Sequence, residues 1–204
     1  MFTGIVQTCA PVVEIIEKPQ LRTLVVSLPK GLCENLEIGA SVANNGVCLT
    51  VTELRDNKVF FDVMEETLNK TNLINLQVGD PVNIERSLVF GKEIGGHLVS
   101  GHVHTMATLT ELEQTATNCR MRLQLPPQWM KYILHKGFVG IDGCSLTVGD
   151  TFSDGFELHL IPETLRLTNL SERQLGDQLN IEIDSQTQTI VDTVERVLAA
   201  KQLG

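Results

Sequence analysis

The chain carries one pattern twice. Asn45-Gly46-Val47-Cys48-Leu49-Thr50-Val51 returns as Asp142-Gly143-Cys144-Ser145-Leu146-Thr147-Val148, 97 residues further on (45 to 142). The same displacement carries Glu66-Thr67-Leu68 onto Glu163-Thr164-Leu165 and Thr71-Asn72-Leu73 onto Thr168-Asn169-Leu170. It also carries Asn83-Ile84-Glu85 onto Asn180-Ile181-Glu182, and Gly4 and Val6 onto Gly101 and Val103. Register holds to Glu182 without an insertion. Two copies of one domain follow, and any function must explain why both are needed.

A chain of 204 residues divides into halves near the common domain size. With 42% hydrophobic and 20% charged residues the composition is that of a soluble globular protein. A net charge of −9 argues against nucleic-acid binding, which needs clustered Lys and Arg. Cys9, Cys33, Cys48, Cys119 and Cys144 are odd in number and form no CxxC pair, so reduced thiols in a cytoplasmic protein are expected. Met1 to Val6 does not read as a secretory leader, and no run approaches the ~18 apolar residues of a membrane span.

Within each copy the hydrophobic period is two. Val47, Leu49 and Val51 alternate with Cys48, Thr50 and Thr52; Cys144, Leu146 and Val148 alternate with Ser145 and Thr147. Val59-Phe61-Val63 and Phe156-Leu158-Leu160 repeat the pattern, and Asn45-Gly46 and Asp142-Gly143 are hairpin turn signals. The pattern predicts a small antiparallel barrel or sandwich per half, interrupted by two short helices. One helix is expected around Trp129, Met130, Ile133 and Leu134; the other spans Glu66–Leu73 and Glu163–Leu170. The halves are placed at 1–92 and 93–186.

The tail, 187–204, has no counterpart in the repeat. Ile190, Val191, Val194, Val197 and Leu198 mark one face of an amphipathic helix, with Asp192, Glu195 and Arg196 opposite. That stripe either packs on its own barrel or buries itself against copies of the chain.

If the apolar rows fill the barrels, the opposite rows present Cys48 and Thr50 in one copy and Ser145 and Thr147 in the other. Small polar groups beside a turn leave room for a flat ligand and offer directed hydrogen bonds. The rows are also what strand propensity alone would place on a solvated face. His97, His102 and His104 cluster without a converging ligand set, so no metal is expected, and a single histidine as acid–base group fits better. No GxSxG, GxGxxG or GxxxxGK[ST] is present.

At these residues the chain resembles the riboflavin synthases. The resemblance runs through Met1-Phe2-Thr3-Gly4-Ile5-Val6, the Asn45–Val51 stretch and Gly95-Gly96-His97-Leu98-Val99-Ser100-Gly101-His102. It continues through Lys136-Gly137-Phe138, the Asp142–Val148 stretch, Ile161-Pro162-Glu163-Thr164-Leu165 and Asn180-Ile181-Glu182-Ile183-Asp184. It implies an all-β fold of tandem six-stranded antiparallel Greek-key barrels plus a C-terminal helix that ties a homotrimer together. It implies a transferase of riboflavin biosynthesis, in which two molecules of 6,7-dimethyl-8-ribityllumazine exchange a four-carbon unit. The products are riboflavin and 5-amino-6-(ribitylamino)uracil. No added cofactor or metal is expected; a lumazine synthase is a possible partner.

The resemblance implies substrate contacts at Gly4, Ile5, Val6, Cys48, Leu49, Thr50, Asp62, Met64 and Thr67, assigned to the first barrel. Gly101, His102, Val103, Lys136, Ser145, Leu146, Thr147, Ile161, Pro162 and Thr164 are assigned to the second. On this basis His102 with Thr147 is expected to handle a methyl proton, and Ser145, Cys48 and Asp184 to steer the acceptor's adduct. Two readings compete with it. One is a non-catalytic lumazine- or flavin-binding antenna protein; the other, a flavin reductase domain, needs a nucleotide-binding partner domain for which the chain has no room.

Overall fold

Period-two patterning becomes strands in both halves. The first runs β1 (Thr8–Lys18), β2 (Leu21–Ser27), α1 (Lys30–Cys33), β3 (Ser41–Asn44), β4 (Val47–Arg55), β5 (Lys58–Met64), α2 (Glu65–Lys70) and β6 (Pro81–Arg86). The second runs β7 (Thr105–Gln114), β8 (Cys119–Gln124), α3 (Pro127–Met130), β9 (Phe138–Ile141), β10 (Cys144–Thr151), β11 (Gly155–Leu160), α4 (Pro162–Leu167) and β12 (Gln178–Ile183). Helix α5 (Ser185–Gln202) follows. This computed structural model describes residues 1–115 and 118–202.

Each half closes into a six-stranded antiparallel barrel, in the order β1-β2-β5-β4-β3-β6 and, equivalently, β7-β8-β11-β10-β9-β12. Strand β6 returns beside β3 rather than beside β5, which is the Greek-key path. Asn45-Gly46 joins β3 to β4 with φ of 45° and 78°, and Asp142-Gly143 joins β9 to β10 with 45° and 82°. Both are mirror-image turns whose twist matches the hairpin. Val47, Leu49 and Val51 pack inward with Val59, Phe61 and Val63; Cys144, Val148, Phe156, Leu158 and Leu160 do the same in the second barrel. Each such fully buried side chain contributes about 1.5–3 kcal/mol.

The expected 66–73 helix breaks. Helix α2 ends at Lys70, Thr71 is extended (φ −134°), and a 3-10 turn covers Asn72–Asn75. The Thr71 hydroxyl donates to the Thr67 carbonyl at 2.8 Å, and Thr168 repeats this on Thr164 at 2.7 Å. A β-branched residue bonded back to the preceding turn closes the helix there. Around Trp129 only one turn, α3, is helical; Ile133 and Leu134 lie in irregular backbone that leads to Lys136 at φ +63°.

A near two-fold relation joins the barrels through buried amides. The Asn72 backbone amide donates to Asn180 Oδ1, and the Asn169 backbone amide to Asn83 Oδ1, both at 2.8 Å. Asn72 Nδ2 donates to Asp142 Oδ1 at 2.8 Å; Asn169 Nδ2 donates to Asn45 Oδ1 at 3.0 Å. Asn83 and Asn180 each donate to the backbone carbonyl of the other barrel's turn, Asp142 at 3.0 Å and Asn45 at 2.9 Å. Symmetry fails at Asp142: Arg173 Nη2 pairs with its buried Oδ2 at 2.6 Å, whereas the equivalent first-copy positions are Leu76 and Asn45.

Helix α5 touches its barrel by one edge. Val191 packs against the second core, Tyr132 Oη donates to Asp192 Oδ1 at 2.5 Å, and Lys131 meets Glu195. Ile190, Val194, Val197 and Leu198 are each about half exposed or more, from 49% to 64%. Val191 apart, the stripe is thus not spent on its own barrel.

Candidate functional site: two cradles built by exchanged segments

The segments leading into the barrels cross over. Phe2 and Val99, equivalent positions, pair as an isolated antiparallel bridge on the near two-fold axis. Beyond them Gly4 runs along the second barrel, where its carbonyl accepts the Ser145 amide at 2.7 Å. Gly101 runs along the first, where its carbonyl accepts the Cys48 amide at 2.8 Å. Both glycines have positive φ, 71° and 84°, and a Cβ on either would lie 2.5 Å from the Cβ of its neighbour, Ser145 or Cys48. Only glycine permits so close an approach. Val6 joins the second barrel's core, and Val103 packs against the first.

The candidate residues therefore regroup. Gly4, Ile5 and Val6 belong with Ser145 of the second barrel, not with Cys48; Gly101, His102 and Val103 belong with Cys48. The sequence assignment to barrels is corrected on this point, because each lead segment is seated on the other copy.

The first cradle is open and recognisable. Val47, Cys48, Thr67, Gly101, His102 and Val103 line a cavity of about 380 Å³, with Glu66 and Lys70 at its rim bonded at 2.6 Å. That volume lies within the usual small-ligand range, roughly 300–1,000 Å³. Leu49 is buried beneath it, while Thr50 and Met64 are exposed on the outer face of β4 and at the end of β5. Asp62, half-buried on β5, accepts the Thr23 hydroxyl at 2.6 Å and faces Lys18 at 3.7 Å.

The second cradle holds a pairing that sequence reasoning missed. Ser145 Oγ lies 2.6 Å from Nδ1 of His97, and the His97 ring stacks on Phe138 with centroids 5.3 Å apart. His97 is buried, and among the described residues its Nε2 has no protein partner. Burial holds its imidazolium below the ordinary histidine range; the Asp184 carboxylate pulls the other way without reversing this. A neutral ring on a serine hydroxyl is equipped to accept or return a proton. Gly96 makes the approach possible, since a Cβ there would stand 2.3 Å from the Thr3 carbonyl oxygen and 2.7 Å from the Ser145 Cβ.

The remaining candidates scatter around these centres. Leu146 packs partly into the second core, and Thr147 is exposed on the outer row beside Ser145. Ile161 and Pro162 are exposed at the start of α4, where Thr164 is half-buried; exposed Lys136 donates its amide to Val148 at 3.0 Å. Asp184 caps α5, its Oδ2 accepting the Thr187 amide at 2.8 Å and hydroxyl at 2.7 Å. His102 sits in the first cradle and Thr147 on the second, so one chain does not unite them.

The unequal furnishing matters. Cys48 with the exposed His102 edges one cradle; Ser145 with the buried His97 edges the other. The two places where a lead segment meets the other barrel thus differ in polarity.

Comparison with known proteins agrees with the duplication. The family described as "Lumazine binding domain" matches residues 3–87 and again residues 100–184. The riboflavin synthase of Escherichia coli (strain K12) is 56% identical over 203 residues, covering 99% of this chain and 95% of the relative. That of Buchnera aphidicola subsp. Schizaphis graminum is 44% identical, covering 97% and 96%. The crystal structure of LumP complexed with 6,7-dimethyl-8-(1'-D-ribityl) lumazine superposes with a TM-score of 0.83 at 25% identity, covering 91% of this chain and all of that one. Twinned lumazine-binding barrels with this identity along almost the entire length make the chain a member of the riboflavin synthase family.

Proposed function

We propose that the chain catalyses the dismutation of two molecules of 6,7-dimethyl-8-ribityllumazine, a four-carbon transfer that yields riboflavin and 5-amino-6-(ribitylamino)uracil. The observation that carries the reading is the reciprocal crossing of Gly4 and Gly101, which seats a lead segment on each barrel beside Ser145 or Cys48. A reaction between two like molecules needs two like seats. Holding both in register converts a bimolecular encounter into an effectively unimolecular one, worth up to about 7–11 kcal/mol in well-oriented cases.

Chemically, the C7 methyl of one lumazine loses a proton, and the carbanion attacks the other ring. Ser145 and His97 are placed to manage a proton at the second cradle; Cys48 and His102 offer a thiol and an imidazole at the first. The expected partnership of His102 with Thr147 then requires two subunits, His102 coming from the first cradle of one and Thr147 from the second barrel of its neighbour. Asp184 acts by capping α5 and biasing His97.

The seats belong to separate barrels, and the exposed stripe of α5 supports a homotrimer in which the first cradle of one subunit meets the second of its neighbour. The working division is 1–92 and 93–186 for the lumazine-binding units and 187–204 for the assembling helix, its final two residues lying outside the described ones. Free cysteines are in keeping with a cytoplasmic enzyme. Lumazine synthase, which would supply the substrate, is a fitting partner.

The antenna reading draws on the likeness to LumP, at 25% identity against 56% for the Escherichia coli synthase. Equilibrium dialysis separates the two. The enzyme reading predicts two lumazines bound per chain; one bound lumazine and no turnover would favour the antenna.

A further inference from the structure

Two buried carboxylates hold the crossing segments, each from the opposite barrel. Glu85 lies on β6 of the first barrel at 5% exposure. Its Oε1 accepts the Thr3 amide at 2.7 Å and the Thr3 hydroxyl at 2.6 Å, and its Oε2 accepts the Gly4 amide at 3.0 Å. Glu182, the equivalent residue on β12 of the second barrel, is 7% exposed. It repeats the pattern on Ser100, at 2.6 Å from the amide and 2.8 Å from the hydroxyl, and on the Gly101 amide at 3.0 Å.

A buried carboxylate needs such donors, and charge-assisted hydrogen bonds are the strong ones. Three on each carboxylate fix the height of the segment above its barrel. The carbonyl one step along then meets the other barrel: Gly4 receives Ser145, and Gly101 receives Cys48. Each glutamate is thus rooted in one barrel while the wall it sets belongs to the cradle on the other.

We propose that Glu85 and Glu182 are crossed positioning residues: Glu85 shapes the second-barrel cradle and Glu182 shapes the first-barrel one. The inference rests on the reading that each cradle seats one lumazine. It assigns a role to neither glutamate in bond making. Glutamine would keep the shape and lose the charge, turning an NH₂ donor toward one of the amides.

The test uses Cys48 as a reporter for the first cradle only. In the full-length protein, lumazine is titrated against iodoacetamide labelling of the Cys48 peptide, read by mass spectrometry, while dialysis counts total lumazine per chain. Glu182→Gln should raise the lumazine concentration that half-protects Cys48 by on the order of tenfold, the loss of one charge-assisted bond. Glu85→Gln should leave that concentration within about twofold while lowering the total bound toward one.

If wild-type Cys48 is not protected by lumazine, the cradle reading itself fails. If wild type is protected but Glu182→Gln protects equally well, or Glu85→Gln shifts Cys48 as much as Glu182→Gln does, the crossed assignment is overturned. Should either glutamine variant misfold, Ser100→Ala and Thr3→Ala decide the question, since each removes one hydroxyl donor. Only Ser100→Ala should weaken Cys48 protection, and an equal effect of Thr3→Ala would refute the proposal.

Discussion

The Ser145 amide donates to the Gly4 carbonyl at 2.7 Å, so the polar row of the second barrel is edged by the first residues of the chain. Neither barrel can form its cradle from its own half alone. Function is thereby tied to docking of the halves, and the predictions below test the two together.

The Ser145–His97 pair is the most exposed part of the account. Ser145→Ala and His97→Gln should each lower kcat by about 10²-fold or more with little change in lumazine binding, the usual worth of a placed acid–base group. Single-turnover kinetics with parallel dialysis check this. Unchanged kcat in both variants would remove the pair from the mechanism.

Protonation gives a second handle on His97. Burial disfavours its charged form, so the ring is neutral at pH 7. Activity that needs the neutral ring should fall only as pH drops below the ordinary histidine value, about 6.5. Stability should follow the same sign, because the unfolded chain takes up the proton first as pH falls. A pH–kcat profile of wild type against His97→Gln reads this directly, and an acid limb above the ordinary value would contradict it.

Asp142 and Arg173 test the interface between the barrels. Burial pushes the Asp142 carboxyl up, while Arg173, the Asn180 amide and Asn72 pull it down. Arg173→Leu leaves that charge unpaired and should cost about 3–5 kcal/mol. The double variant Asp142→Asn/Arg173→Leu reproduces the first copy's Asn45 and Leu76, and should recover most of the loss. Denaturant melts of the four proteins in this cycle give the coupling.

Gly46 and Gly143 meet at the same interface, a Cβ on either falling 2.6 or 2.7 Å from the other's backbone nitrogen. Gly46→Ala combines that clash with a positive φ of 78°. It should destabilise by about 2–4 kcal/mol, seen as a lowered thermal midpoint.

The exposed stripe of α5 predicts assembly. Replacing Ile190, Val194, Val197 and Leu198 with glutamine should leave both barrels folded by circular dichroism. Sedimentation velocity should then report monomers in place of trimers, with turnover lost. A trimer that survives would move the interface elsewhere.

Much of this was legible in the sequence. The period of two in Val47-Leu49-Val51 and its echo gave the barrels, and Asn45-Gly46 and Asp142-Gly143 gave their tightest turns. The crossing of Gly4 and Gly101 was not legible, because an exchange between like copies leaves each half's pattern unchanged. His97 escaped for a related reason: it precedes Gly101, the first matched position of the second copy, so the repeat does not mark it. The break at Thr71 was not legible because it is set by a hydroxyl bonded back to the Thr67 carbonyl, which leaves no mark in the hydrophobic pattern.

The most direct test is anaerobic incubation of the purified chain with 6,7-dimethyl-8-ribityllumazine alone, with both products quantified. The account predicts one riboflavin and one 5-amino-6-(ribitylamino)uracil for every two lumazines consumed, with no metal or redox additive. Stoichiometric binding of lumazine without riboflavin formation would contradict it.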